Sequence, residues 1–201
     1  MRFLPISILL LFFGCTPYPK KLGYSKAPLT VFEATNPYFA NVEKDYVYKA
    51  RIKAFKKEFG GILVIKKIAP KEHRIVFTTE LGNTIFDFSF LESGFKVNRI
   101  IKALDRNILI SILKKDFLAL IHEKGTAKVN FQNDNGLIVS TKIDSKLHYY
   151  EYKNDTLNKI TRVGNQKEKV LFTFSKISDN IVNNIEIQHK NLALNISLTA
   201  F

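Results

Sequence analysis

Strict alternation of apolar and polar residues, repeated in short runs from about residue 45 onward, restricts the fold of this chain more than any other feature. Tyr46, Tyr48, Ala50, Ile52 and Ala54 alternate with Val47, Lys49, Arg51 and Lys53. A period of two puts the first set on one face of a strand and the second on the other. Further runs follow at hairpin spacing. Gly60-Gly61, read as a turn or bulge, opens 62–68; Pro70-Lys71 leads into Glu72–Thr79; Leu81-Gly82-Asn83 leads into Thr84–Leu91; Ser93-Gly94 leads into Phe95–Ile101. In Thr84–Leu91, Phe86, Phe88 and Phe90 share a face. Strands are also expected over 127–132, 136–143, 146–153, 156–163, 168–176, 181–189 and 192–200, with turn signals at Asn135-Gly136 and Asn154-Asp155.

One segment departs from this period. Ile108, Leu109, Ile112, Leu113, Phe117, Leu120 and Ile121 follow helical steps, which predicts a helix from about Asp105 to His122 with Asp105 as its N-cap. Lys114, Lys115 and Asp116 fall away from its main apolar stripe. No alternation of strand and helix appears, so the sheet should be antiparallel. Eleven or twelve strands in so short a chain must curl, giving an open or closed barrel or a bent half-barrel with the helix across its mouth.

The first fifteen residues set the compartment. Met1-Arg2 is followed by an apolar run over 3–13, too short to span a bilayer and suited to a signal peptide. The run ends in Phe12-Phe13-Gly14-Cys15, and Cys15 is the only cysteine. A small residue before a cysteine at this point resembles the bacterial lipoprotein cleavage site. That resemblance implies removal of residues 1–14 and acylation of Cys15; the alternative is an ordinary cysteine in an uncleaved anchor. Residues 15–42, punctuated by Pro17, Pro19, Pro28 and Pro37, read as a tether that becomes ordered near Tyr38, and 43–201 as the folded domain.

Export changes the meaning of the charge. The chain has 31 Lys and Arg against 18 Asp and Glu, a net charge of +13. In the cytosol that would suggest nucleic acid; outside it the partners are phospholipid headgroups or envelope proteins, and no nucleic acid is expected. Lys49, Arg51, Lys53, Lys56, Lys57, Lys66 and Lys67 form a basic face that either meets a membrane or an acidic partner, or simply solubilises the domain. Thr16 follows the cysteine and the next residues are basic, which favours the periplasmic face of the outer membrane. His73, His122, His148 and His189 lack metal-ligand spacing, and no nucleophile or phosphate-binding motif is present. No catalytic residue, metal or cofactor is expected. Asp87, Glu151, Arg74 and Arg51 read as strand residues with ordinary polar partners.

The segment Glu72-His73-Arg74-Ile75-Val76-Phe77-Thr78-Thr79-Glu80-Leu81-Gly82-Asn83-Thr84-Ile85-Phe86-Asp87-Phe88 resembles the central hairpin of the LolB family of outer-membrane lipoprotein receptors. Arg74, Leu81-Gly82, Thr84 and Phe86-Asp87-Phe88 carry the resemblance, which covers about 46–121 and is architectural elsewhere. It departs from the family in lacking tryptophan and an evident second helical segment. It implies a mainly β fold, an unclosed antiparallel barrel of about eleven strands with a helical lid. It also implies a cavity that accepts lipoprotein acyl chains from a LolA-like periplasmic carrier, without covalent chemistry. Leu81, with Gly82 beside it, would then be the protruding leucine that releases cargo into the membrane; otherwise it is a loop leucine packed on a neighbouring strand. Tyr48, Ile52, Val64, Ile75, Phe77, Phe86, Phe88, Phe90, Val97, Ile108, Ile112 and Leu113 would line the cavity, although the same residues would line any filled barrel core. A monomer is expected. A structural or assembly lipoprotein, or a binder of another lipid on the same half-barrel, are the alternatives.

Overall fold

A computed structural model describes residues 16–201. The expected signal peptide and the acylation site Cys15 lie outside the described residues. In chain order the elements are α1 (Tyr18–Lys21), β1 (Ser25–Ala27), β2 (Glu33–Thr35), β3 (Asp45–Ala54), β4 (Lys57–Ala69), β5 (Glu72–Thr78), β6 (Thr84–Leu91) and β7 (Gly94–Ile100). They continue with α2 (Asn107–Ile121), β8 (Lys124–Thr126), β9 (Val129–Asn133), β10 (Gly136–Ile143), β11 (Lys146–Lys153) and β12 (Thr156–Gly164). The chain closes with β13 (Lys167–Ser178), β14 (Ile181–His189) and β15 (Leu194–Ala200).

Thirteen strands form one antiparallel sheet in the order β1-β9-β10-β11-β12-β13-β14-β15-β3-β4-β5-β6-β7, and β2 pairs with β8 separately. The sheet is not closed, since β1 and β7 remain its two edges. Two hairpin meanders, β3–β7 and β9–β15, are joined by pairing of β15 with β3, for instance Ile196 opposite Ile52. Four hairpins turn on residue pairs with both φ positive: Asp144-Ser145, Asn154-Asp155, Asn165-Gln166 and Asp179-Asn180. That conformation matches the right-handed twist of the flanking strands, and after glycine it is Asn and Asp that tolerate it best.

The β4 start departs from the sequence expectation. The strand begins at Lys57, the turn is Phe55-Lys56, and Gly60-Gly61 lies inside the strand. A Cβ on Gly61 would come within 1.9 Å of the Thr78 carbonyl oxygen, so the glycine permits close approach of β5 and makes no turn. The helix also starts later, at Asn107, with Arg106 rather than Asp105 at its cap and no side-chain cap bond.

The inner face of the sheet and α2 make one core. Tyr48, Ile52, Leu63, Ile65, Ile75, Phe77, Phe86, Phe88, Phe172, Ile187 and Ile196 pack in the same cluster as Leu113, Phe117 and Leu120 of the helix. Phe86 stacks on Phe88 with centroids 4.5 Å apart and meets Phe117 at 5.7 Å. The helix thus fills the trough of the sheet with its own side chains.

A second, smaller cluster corrects the reading of 15–42 as a tether. Tyr18 and Tyr24 pack with Phe131, Ile138, Tyr149 and Val163 on the outer face of β9–β12. The Tyr18 hydroxyl donates to Glu168 Oε1 at 2.8 Å, and Lys21 Nζ donates to the Gln166 carbonyl at 3.1 Å. The chain then pairs as β1 with β9 at the sheet edge. Ala34, Tyr38 and Phe39 enter the inner core, where the Tyr38 hydroxyl donates to the Leu157 carbonyl. Short apolar anchors spaced among prolines hold this segment to both faces, which no periodicity could reveal.

Candidate functional site

The hairpin between β5 and β6 is a tight loop. Thr79 N–H donates to the Asn83 carbonyl at 2.8 Å, Gly82 N–H to the Thr79 carbonyl at 2.9 Å, and Asn83 N–H to Thr79 Oγ1 at 3.1 Å. Gly82 has φ +83, a left-handed conformation in which a side chain would be strained. These bonds fix the loop backbone while leaving Leu81 90% exposed, the most exposed of the large apolar side chains described. An aliphatic side chain held in water by a hydrogen-bonded turn gives up about 1.5–3 kcal/mol of burial.

The residues expected to line an acyl cavity fall into five groups. Tyr48, Ile52, Ile75, Phe77, Phe86, Phe88 and Leu113 are buried and packed against one another and α2, so they make a filled core. Val97 and Ile112 are half-buried against that core. Val64 is placed on the outer face instead, because Leu63 pairs with Tyr48 and it is Leu63 and Ile65 that point inward. Four consecutive apolar residues, Ile62 to Ile65, carry no alternation, and a one-residue slip exchanges faces. Ile108 is 74% exposed, outside the apolar stripe that buries Leu109, Leu113, Phe117 and Leu120.

Phe90 alone of the twelve borders an open cleft of about 740 Å³. Its apolar wall is Phe90, Leu91 and Phe95 facing Leu118 and Ile121 of α2, and its rim carries Lys67, Lys71, Lys114 and Lys124 with Glu92, Glu123 and Asp144. A volume of that size is within the range of ligand sites. The polar rim follows from strand parity: Lys67 and His73 sit opposite each other at the end of the inward-facing rows that begin with Leu63 and Phe77. Lys67 therefore leaves the basic outer face assigned to it and donates to Glu123 Oε2 at 2.8 Å. His73 Nε2 lies 3.0 Å from the Phe39 carbonyl, and burial lowers its pKa. Burial likewise lowers that of His122 at the cleft. Lys114 Nζ lies 5.5 Å from the Phe95 ring centroid.

Lys49, Arg51, Lys53 and Lys66 stay on the outer face of β3 and β4, whereas Lys56 lies in the turn and Lys57 has the strand parity of Leu63. Arg51 and Lys53 flank Glu58 at 3.3 and 3.7 Å, and Lys66 pairs with Asp45 at 2.9 Å. Arg74 makes a two-pronged contact with Asp87, Nε to Oδ1 at 3.0 Å and Nη2 to Oδ2 at 2.6 Å, and Asn98 also donates to Asp87. The hydrogen bonds from Arg74, opposed by partial burial, hold the Asp87 carboxyl below its usual range.

The sequence reading missed one buried polar group. Asp116, expected on the solvent side of the helix, is fully buried. His189 Nε2 donates to its Oδ2 at 2.7 Å, and Arg162 Nη2 stands 3.2 Å from its Oδ1. Arg162 is paired in register with His148, whose pKa is pushed down to about 4, chiefly by burial. The signal was present: Asp116 is four residues from Leu120 and three from Leu113, on the edge of the buried stripe.

No family model matches the chain, and no curated protein is significantly similar to it.

Proposed function

We propose that the protein is a lipid-anchored, LolB-like acceptor of acylated lipoproteins, which takes cargo from a periplasmic carrier and passes it into the outer membrane. The observation that carries this reading is Leu81, raised into water on a hydrogen-bonded loop of an unclosed, curled antiparallel sheet. One leucine gains enough on entering a bilayer to touch it and too little to stay there, which suits a delivery tip. The cleft between Phe90, Phe95 and α2 is the entry point for an acyl chain, its lysine rim facing the glyceryl and peptide end of the cargo. Because the trough beneath α2 is packed, deeper entry of a chain requires the helix to lift as a lid.

The test is transfer of a fluorescent lipoprotein from carrier to liposomes. Leu81→Glu should preserve the circular dichroism spectrum and melting temperature, since the side chain touches nothing that folding needs, and should abolish delivery. Undiminished delivery by this variant removes Leu81 from the mechanism. The packed inner face favours a second reading, a structural or assembly lipoprotein of the envelope. Native mass spectrometry of protein extracted from membranes separates the two: retained acyl ligand supports the first, and a persistently empty chain supports the second.

A further inference from the structure

Four hairpin turns follow one another along one margin of the sheet: Asn165-Gln166 between β12 and β13, 190–193 between β14 and β15, Phe55-Lys56 between β3 and β4, and 79–83 between β5 and β6. Strand order places them side by side, and cross-links confirm it. Lys190 N–H bonds the Lys169 carbonyl, Phe55 N–H bonds the Ala193 carbonyl, and Gly61 lies against Thr78 and Thr79. Exposed apolar side chains punctuate the row, with Phe55 at 55% and Leu192 at 36% besides Leu81.

The N-terminal segment is docked at one end of this same row. Lys21 bonds the Gln166 carbonyl in the first turn, and Tyr18 bonds Glu168 just beyond it. Cys15 is three residues before Tyr18, a reach of about 10 Å. An acyl anchor there has a short leash fixed beside the β12–β13 turn, in place of a long flexible tether. Charge separates the two margins as well. Lys20, Lys21, Lys56, Lys57, Lys167 and Lys190 surround the anchored row, against Glu80 in the turns and Glu58 and Glu168 beside them. The turns of the opposite margin carry Glu92, Asp134, Asp155 and Asp179 against Lys71, with Lys153 and Lys176 beside them, so the balance is more acidic there. The Asp144-Ser145 turn starts from the anchored margin but curls away, since Asp144 borders the cleft together with Lys71.

We infer that the domain sits on an anionic phospholipid surface in one fixed orientation, with the row from Asn165 to Asn83 against the bilayer and Phe55 and Leu192 contacting lipid beside Leu81. Each lysine near such a surface adds about 1 kcal/mol of attraction, and the short leash makes the contact local. This orientation rests on acylation of Cys15 and is independent of the cargo.

The full-length acylated protein, reconstituted in phosphatidylethanolamine–phosphatidylglycerol vesicles, tests it. Single environment-sensitive labels are placed through Lys56→Cys, Leu192→Cys, Asp155→Cys and Asp179→Cys, all at exposed turn positions, and exposed to a quencher carried on the lipid. Quenching should be severalfold stronger at 56 and 192 than at 155 and 179. Vesicle-bound protein with equal quenching at all four sites, or with the order reversed, overturns the orientation while leaving delivery untouched. Protein that does not float with the vesicles overturns the anchor, and the orientation with it.

Discussion

The two faces of the large sheet come from the same alternating strands and are stabilised in different ways. The inner face is continuous: residues from β3 to β7, β10 to β15 and α2 share one cluster in which most aromatic and aliphatic side chains are fully buried. The outer face is split. Over β9–β12 it is covered by Tyr18 and Tyr24; over β3–β7 it is bare and held by pairs such as Arg74–Asp87 and Lys66–Asp45. An alternating strand specifies which residues share a side, but what covers that side is decided by segments distant in sequence. The covered faces exclude water, so charge is expensive there, whereas on the bare half it is nearly free.

The largest difference should appear at the inner charge cluster. Asp116→Ala removes the partner of Arg162 and His189 at a fully buried site. Breaking such a group by taking away one member costs roughly 3–5 kcal/mol. Denaturant unfolding should show a loss of that size, and a loss under about 1 kcal/mol would mean that the inner face tolerates unpaired charge as the bare outer half does.

Acid should act on the inner face next. His148 is 2% exposed, and its folded pKa of about 4 lies below the ordinary value of 6.5. Between those two values the unfolded chain binds the proton and the folded chain does not, so stability must fall as pH drops from about 6.5 toward 4. The loss is on the order of 2–3 kcal/mol from this residue, with smaller contributions of the same sign from His73 and His122. Melting temperatures across that range should slope downward with acid, and His148→Asn should flatten the slope. An unchanged slope would place the acid sensitivity elsewhere.

These two effects also mark where the sequence could be read. Strand positions from β3 onward agree with the alternation to within a few residues, because hairpin turns and burial parity are local properties, except that β4 begins at Lys57 and the short β8 was not expected. Tyr48, Ile75, Phe77, Phe86 and Phe88 point inward as their period requires. Val64 did not, since an unbroken apolar run has no parity to read, and Ile108 did not, since it lies about 100° around the helix from Leu109, off the stripe that buries Leu109, Leu113, Phe117 and Leu120. Exposure of Leu81 followed from a turn too short to return its side chain to the sheet. What stayed hidden were long-range facts. Nothing near Asp116 in sequence announces Arg162 or His189, and nothing in the proline-punctuated N-terminal stretch announces that Tyr18 will find Tyr149 at 5.4 Å. Whether a lined trough is hollow or filled is likewise a property of α2's placement, which its own apolar stripe does not specify.

The smallest effect belongs to the bare outer half. Arg74 is half exposed, although its contact with Asp87 is geometrically good. Solvent screening limits such a pair to about 1 kcal/mol or less, so Arg74→Ala should lower stability by no more than that at neutral pH. The carboxyl of Asp87 is held below its usual range, chiefly by Arg74, so the pair contributes above the ordinary carboxylate pKa and is lost as pH falls through the lowered one. Wild type and Arg74→Ala should therefore converge in stability at strongly acidic pH, the opposite end of the scale from the His148 effect, which is already complete there. Convergence near pH 6 instead, or a cost approaching that of Asp116→Ala, would mean that the outer half of the sheet is covered in solution by something that excludes water from Asp87.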